Sequence, residues 1–253
     1  MKHYLLILLL LVLATAATAK PPGEVLIVAD EFPAMEILAR ALKDQEGIYS
    51  TIVRQTEMPQ SLSGYQAVVV YIHRELLAGP EEAFIQYTRQ GGKLILLHHT
   101  LSSAKRSNAH WFNFLGFDIL RKDVNEGGYK WIEGVDMQVV NLAPKHFITS
   151  NQVRYEGKFP YQREAAGRTK DLPGFALRDT EVYLNHVYRS PRTILLGFSY
   201  RDETKKVWMQ DRGAWCMPAG KGWIFYAQPG HTALDFENPA YARILLHAVI
   251  FRP

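Results

Sequence analysis

The sequence predicts an α/β fold: a flavodoxin-like, three-layer sandwich around a mainly parallel sheet. Three observations point there. Short continuous apolar runs alternate with amphipathic helical patterns, the connections between them are short, and polar residues cluster directly after the apolar runs. Such runs mark strands covered on both faces, and their alternation with helices marks parallel strands joined by crossovers.

Residues 24–30 (EVLIVAD) are the first such strand. Met35, Leu38, Ala39 and Leu42 then fall on one face of a helix that covers the sheet. Residues 51–53 are a short second strand, and residues 67–72 (AVVVYI) a third, rich in β-branched side chains. Gly79-Pro80-Glu81-Glu82 opens the next helix, because proline suits the first helical position and carboxylates suit the positive end of the helix dipole; Gly91-Gly92 stops it. Residues 93–97 (KLILL) are a fourth buried strand. From 117 to 180 the pattern breaks into glycine, proline, aromatic and charged clusters, read as long loops and short strands that wall a cleft. Order returns in residues 193–198 (TILLGF), their hairpin partner 206–210, and residues 223–227 (WIFYA). Asn238-Pro239 caps a last helix whose Tyr241, Ile244, Leu245, Ala248 and Val249 form one apolar face. With no repeat or linker in sight, residues 20–253 read as one domain.

The N-terminus carries Lys2, an apolar run over residues 4–12 and then Ala-Thr-Ala-Ala-Thr-Ala, which reads as a signal peptide of residues 1–19. The run is well short of the roughly 20 residues that span a bilayer. The expectation is a periplasmic or secreted protein that is free of the membrane once cleaved. The 234 residues that remain of 253 suit one α/β domain. Cys216 is the lone cysteine, so packing and not disulfides must hold the fold. A net charge of +4, or +3 without Lys2, is too small to argue for nucleic acid or anionic lipid, and a neutral or mildly polar ligand fits better.

In open parallel sheets ligands bind beyond the carboxyl ends of the strands. Asp30-Glu31, His73-Arg74, His98-His99-Thr100 and Gly230-His231-Thr232 all sit there. The first pair reads as a helix entry; the others bring four histidines toward one rim. The turn at His98 is where many α/β enzymes set a nucleophile. Here neither Cys nor Ser occupies it: Ser102 and Ser103 come later and Cys216 is in another segment. That argues against acyl transfer and leaves general acid/base or metal-assisted chemistry.

Gly220-Lys-Gly-Trp-Ile-Phe-Tyr-Ala-Gln-Pro-Gly-His231-Thr, with Asn238-Pro239-Ala-Tyr-Ala-Arg after it, resembles the closing signature of the ThuA-like, or trehalose-utilisation, family. Gly91-Gly92-Lys-Leu-Ile-Leu-Leu-His98 is similar to that family's central motif, and His110-Trp111-Phe-Asn-Phe-Leu-Gly116 to the segment that follows. His146-Phe-Ile-Thr149 and Thr180-Glu181-Val-Tyr183 match less well, where the family usually has His-Pro and Asp-Glu-x-Tyr, and His99 replaces a small residue. The resemblance implies a class I glutamine amidotransferase-like fold without the amidotransferase cysteine, hence no glutamine amidotransferase activity. It also implies a role in using disaccharides and their keto derivatives, and a pocket containing His98, Glu181, Tyr183 and His231.

A neutral sugar needs side chains that donate and accept hydrogen bonds, plus aromatic faces for its C–H surfaces. Trp111, Tyr129, Trp131, Tyr183, Tyr188 and Trp215 supply such faces in stretches that read as irregular. The catalytic set is His98, Glu181 and His231, with Glu181 and His231 moving protons and His98 polarising a carbonyl or orienting the ligand. Tyr183, His99, His73, Trp111 and Trp215 are the expected ligand contacts, and His186 is expected to line the cleft while His247 packs. A hydrolase or lyase follows; a non-catalytic sugar-binding module would use the same pocket. No residue is assigned to a metal, since no His-Glu-x-x-His spacing occurs. A divalent cation such as zinc on His98, His99, His231 and Glu181 stays open as the alternative. Adjacent histidines on an extended segment point to opposite sides, so both reach one ion only if the strand has already ended. The bland reading has His98 bonding a neighbouring loop and Glu181 pairing with an arginine.

Overall fold

Apolar five-residue runs form the centre of the molecule in the computed structural model, which describes residues 23–164 and 167–252. The expected signal peptide lies outside them. The first half follows the predicted order: β1 (Val25–Ala29), α1 (Pro33–Glu46), β2 (Ser50–Val53), β3 (Ala67–Tyr71), α2 (Ala78–Arg89) and β4 (Lys93–Leu97). β1 and β3 are buried at every position. β1 pairs in parallel with β2 and β3, and β3 with β4. Alternate strand residues serve two cores. Val25 and Ile27 pack with Met35, Leu38 and Leu42 of α1, while Leu26 and Val28 pack with Phe84 and Ile85 of α2.

Beyond β4 come α3 (Trp111–Leu115), β5 (Phe117–Asp118), β6 (Lys130–Asn141), α4 (Phe147–Ser150), β7 (Gly157–Tyr161), β8 (Lys170–Leu184) and β9 (Val187–Tyr188). The chain ends with β10 (Thr193–Arg201), β11 (Val207–Ala219), β12 (Gly222–Ala227), α5 (Ala233–Glu237) and α6 (Pro239–Ile250). One ten-stranded sheet runs β2-β1-β3-β4-β12-β11-β10-β6-β8-β7. β5 and β9 pair separately.

Four of the sheet's pairings are parallel and five antiparallel. The mainly parallel sheet expected from sequence is therefore a mixed one, within an α/β architecture. The reason lies in residues 117–180, which contain two long strands where short ones between long loops were expected. β6 and β8 are 12 and 15 residues long, but most of the first half of β6 is open to solvent. Their pairing slips at Glu133/Val135 and again at Val135/Met137, with Gly134 at φ +67°. Bulges shift which side chains face inward, so no period-2 apolar alternation survives for the sequence to display.

The expected hairpin of β10 and β11 is present, with β11 running on through Trp215 and Cys216. α2 starts at Ala78, two residues before Pro80. Its Glu81 is buried and accepts hydrogen bonds from Asn108 Nδ2 and the His110 amide, both at 2.9 Å, so it ties α2 to the approach of α3 in addition to facing the helix dipole. Among the described residues no helix is long and apolar enough to cross a membrane. α6 starts as read, with Pro239 at its head and the Asn238 side chain accepting from the amides of Ala240 (3.0 Å) and Tyr241 (3.1 Å). Asn238→Ala should lower unfolding free energy by about 1 kcal/mol in urea titration without changing the circular dichroism of the native state; an unchanged midpoint would show that the cap is dispensable.

Candidate functional site

β4 ends at Leu97, and His98 turns the chain with φ +42° into a 3₁₀ turn, His98–Leu101. A non-glycine residue there is strained by about 1–3 kcal/mol, and such strain persists only where the surroundings enforce it. The turn cancels the alternation of an extended strand. The rings of His98 and His99 lie on the same side, with centroids 4.2 Å apart. Trp111 holds the turn from below through its indole N–H on the Thr100 carbonyl, 2.9 Å away.

Glu181 and Tyr183 come from the far part of the sheet, two residues apart on one face of β8. The Glu181 carboxylate, 3% exposed, is the meeting point. Its Oε2 lies 2.7 Å from His98 Nε2, 3.2 Å from His231 Nδ1 and 3.6 Å from His99 Nε2, and accepts the Tyr183 hydroxyl at 2.8 Å. Burial alone would raise the pKa of this carboxyl; the bonds from His231, His98 and Tyr183 outweigh it and hold it down at about 2. The same bond raises His231 against the effect of its own burial. His99, by contrast, is pushed far down, first by burial and then by the neighbouring histidines. Among the described residues no arginine pairs with Glu181.

Three residues that the sequence reading passed over position this cluster. The Asp235 carboxylate, 1% exposed, accepts from the amides of His231 (2.8 Å) and Gly230 (3.2 Å) and from the Thr180 hydroxyl (2.6 Å), so one group registers the His231 segment against the strand that carries Glu181. Gln228 exchanges two side-chain hydrogen bonds with the Tyr183 backbone, at 3.2 and 3.1 Å, and its own carbonyl accepts from His98 Nδ1. The Tyr71 hydroxyl donates to the Gly230 carbonyl at 2.9 Å. Thr232 to Asp235 has the spacing of a capping box, which was legible. Gln228 and Tyr71 look like ordinary strand-end residues, and nothing local marks them.

A cavity of about 170 Å³ opens above the cluster, lined by His73, His99, Ser102, Ser103, Ala104, Tyr129, Trp131, Glu133, Glu181 and Tyr183. Trp131 and Glu133 reach it because β6 pairs Trp131 with Tyr183 and Glu133 with Glu181, which sets each pair on one face. Larger hollows beside Tyr200 and Trp223 contain no histidine. His73 stands at the mouth, half-exposed, stacked on His99 at 4.0 Å and bound to Glu31 Oε1 at 3.0 Å. Asp30 accepts from the amides of His73 and Arg74, both at 2.8 Å, which makes it a tie between strand ends. Lys105, also buried, donates to the carbonyls of Ile72 (2.6 Å) and His73 (2.8 Å), and burial pushes its pKa down to about 7.

The structure thus brings together His98, Glu181, His231, Tyr183, His99 and His73. It does not bring in Trp111 or Trp215. Both are fully buried in the core, Trp111 near Phe84 and Trp215 under the Arg192 guanidinium, because the stretches read as irregular are a helix and a long strand. Tyr129 and Trp131 provide the aromatic wall instead. His186 is fully buried and stacked beside Tyr129 and Tyr183, not on the cavity surface. His247 packs as expected, bonded to the Ile148 carbonyl, and His146 caps α4. Burial pushes the Cys216 thiol up to about 11, which suits a core residue and not a nucleophile.

Two predictions concern the supports. Asp235→Ala strands four donors, the Thr180 hydroxyl and the amides of Gly230, His231 and Thr232, and should cost about 2–3 kcal/mol in chemical denaturation; a loss below about 0.5 kcal/mol would show that the segment holds itself. Lys105 has a lower pKa folded than unfolded, so its contribution is fully present above about pH 10.5 and is lost as pH falls toward 7. Between pH 10 and 7 the native protein should lose on the order of 3 kcal/mol relative to Lys105→Met; parallel pH profiles would contradict this.

A model of the ThuA family, described as trehalose utilisation, matches residues 24–251. No curated protein matches the chain. A ThuA-like protein from Bacteroides uniformis ATCC 8492 has a similar structure, with TM-score 0.60 and 16% identity over 94% of this chain and 93% of that one. Similar too, as folds, are β-galactosidases from Bacillus circulans sp. alkalophilus (TM-score 0.54, 13% identity, 90% of this chain and 31% of that one) and Rahnella sp. R3 (0.52, 12%, 87% and 30%). The chain spans about a third of the length of those two enzymes. With the family's pattern running through β1 to the end of α6, this chain belongs to the ThuA, or trehalose-utilisation, family.

Proposed function

We propose that this protein is exported and acts on a sugar or keto-sugar derivative as a hydrolase or lyase, by acid/base chemistry, on a class I glutamine amidotransferase-like three-layer scaffold that lacks the nucleophilic cysteine. The observation that supports this is the convergence of His98, His231 and Tyr183 on one oxygen of Glu181 beside a cavity walled by Tyr129 and Trp131. A carboxylate, imidazoles and a phenol within one hydrogen bond of each other form a relay that can take a proton from a substrate hydroxyl or C–H and return it to a leaving oxygen.

The cavity fits the ligand class. Tyr129 and Trp131 offer flat apolar faces, while Ser102, Ser103 and Glu133 offer hydroxyl and carboxylate partners, the mixture a pyranose presents in return. At about 170 Å³ it is smaller than sites for drug-sized ligands, so it accepts one ring or the end of a longer saccharide. With neither Cys nor Ser at the His98 turn, the reading invokes no covalent acyl intermediate. A family described by trehalose utilisation directs the choice of substrates to test.

Glu181→Gln and His231→Ala should each abolish product formation from disaccharides and their keto derivatives, with a melting temperature within a few degrees of the parent. Full activity in both variants would refute the proposal. Calorimetry on the same panel separates the remaining reading: saturable binding with no product would assign the cavity to a sugar-binding module.

A further inference from the structure

We propose that His98, His99, His231 and Glu181 form a binding site for one divalent transition-metal ion of the zinc class. The inference rests on the site described above but not on the identity of its sugar. The first argument is distance. One ligand atom from each of the four residues lies within 4.8 Å of all the others, and Glu181 Oε2 is 2.7, 3.2 and 3.6 Å from the three imidazole nitrogens. Bonds of about 2.0–2.2 Å in a tetrahedral shell put ligand atoms roughly 3.3–3.5 Å apart. The three carboxylate–imidazole separations bracket that spacing, and the imidazole nitrogens lie within 4.8 Å of one another.

His99 supplies the second argument. Its side chain is almost fully buried, yet neither ring nitrogen has a hydrogen-bond partner, although buried polar atoms are ordinarily satisfied. Its Nε2 is too far from Glu181 for a hydrogen bond and suitably placed for an ion between the two. His73 stacks on the ring and cannot meet that nitrogen's lone pair in the plane where it points.

The outer contacts agree. Without an ion His98 Nε2–H donates to Glu181; its Nδ1–H on the Gln228 carbonyl fixes the ring so that Nε2 is the nitrogen that gives up its proton to a metal ion. The φ of +42° at His98 is what allows two consecutive histidines to face one point, the condition that an extended strand would forbid. Three nitrogens and one oxygen select the ion as well. Calcium and magnesium prefer all-oxygen shells and copper(I) prefers sulfur, whereas imidazole with carboxylate suits zinc, cobalt, nickel or iron(II). His99 and Glu181 also line the cavity, so a water or a sugar oxygen can complete the shell there.

The test needs no sugar. The purified protein, stripped with a chelator and dialysed, is titrated with Zn²⁺ by calorimetry and with Co²⁺ by visible absorption. The expected result is one ion per chain with submicromolar Kd, an intense Co²⁺ d–d band typical of four or five ligands, and a higher melting temperature with Zn²⁺. His99→Ala and Glu181→Gln should weaken Zn²⁺ at least 100-fold, whereas His110→Ala, which removes an exposed imidazole that is not part of the cluster, should leave it unchanged. Circular dichroism identifies any variant that fails to fold, and His231→Ala then replaces it in the comparison. No binding, or binding that survives loss of His99 and Glu181, would overturn the proposal. If the ion binds as stated but no sugar is turned over, only the functional reading falls; if chelated protein turns over sugar at full rate and takes up no ion, only this one does.

Discussion

A buried carboxylate is the constraint around which this protein is arranged. Glu181 carries charge into a site that is 3% exposed, where an unpaired carboxylate would be prohibitively costly. Three imidazoles and a phenol surround it, and all but His99 are held by hydrogen-bonded supports: His98 by Gln228, the His231 segment by Asp235 and Tyr71, Tyr183 by Gln228 again. Removing one contact therefore loosens several, because Thr180 beside Glu181 and the amide of His231 share the single carboxylate of Asp235.

That arrangement demands an unusual sheet. In the strand order, β8 is separated from β4 by β12, β11, β10 and β6, yet Glu181 of β8 touches His98, the residue directly after β4. A flat sheet would hold them roughly 20 Å or more apart, at about 4.8 Å per strand. The antiparallel half must curl back over the carboxyl ends of the parallel half. Irregular pairing along β10–β11 and β6–β8 provides the means, since bulges bend strands and increase twist. The parallel strands thus supply the imidazoles and the curled antiparallel strands supply the carboxylate, the phenol and the aromatic wall.

The same division explains what could be read from the chain. Where strands are buried on both faces and joined by helices, local composition reports structure, and β1, α1, β3, β4, β12 and α6 follow from apolar runs, periodicity and a cap. The rim histidines 73, 98, 99 and 231 follow from the rule that polar residues after such strands collect at one edge. Glu181 entered through family resemblance alone, and Tyr183 through it and as one of six candidate aromatics. Local pattern was silent because β6 and β8 are partly exposed and bulged; Trp111, on a five-residue helix, and Trp215, on a strand whose pairing also slips, looked like loop aromatics when both are core.

By itself, then, the sequence determined the elements whose stability is local: short apolar strands, amphipathic helices, the Asn238 cap, the absence of a nucleophile at His98. Only the tertiary structure decided that the sheet is half antiparallel, that Trp131 and not Trp215 faces the cavity, and that three imidazole nitrogens meet around Glu181. Those outcomes depend on where a curled sheet returns and on the left-handed turn at His98, which are long-range packing choices, and no stretch of sequence short enough to carry a periodic signal contains both ends of such a contact.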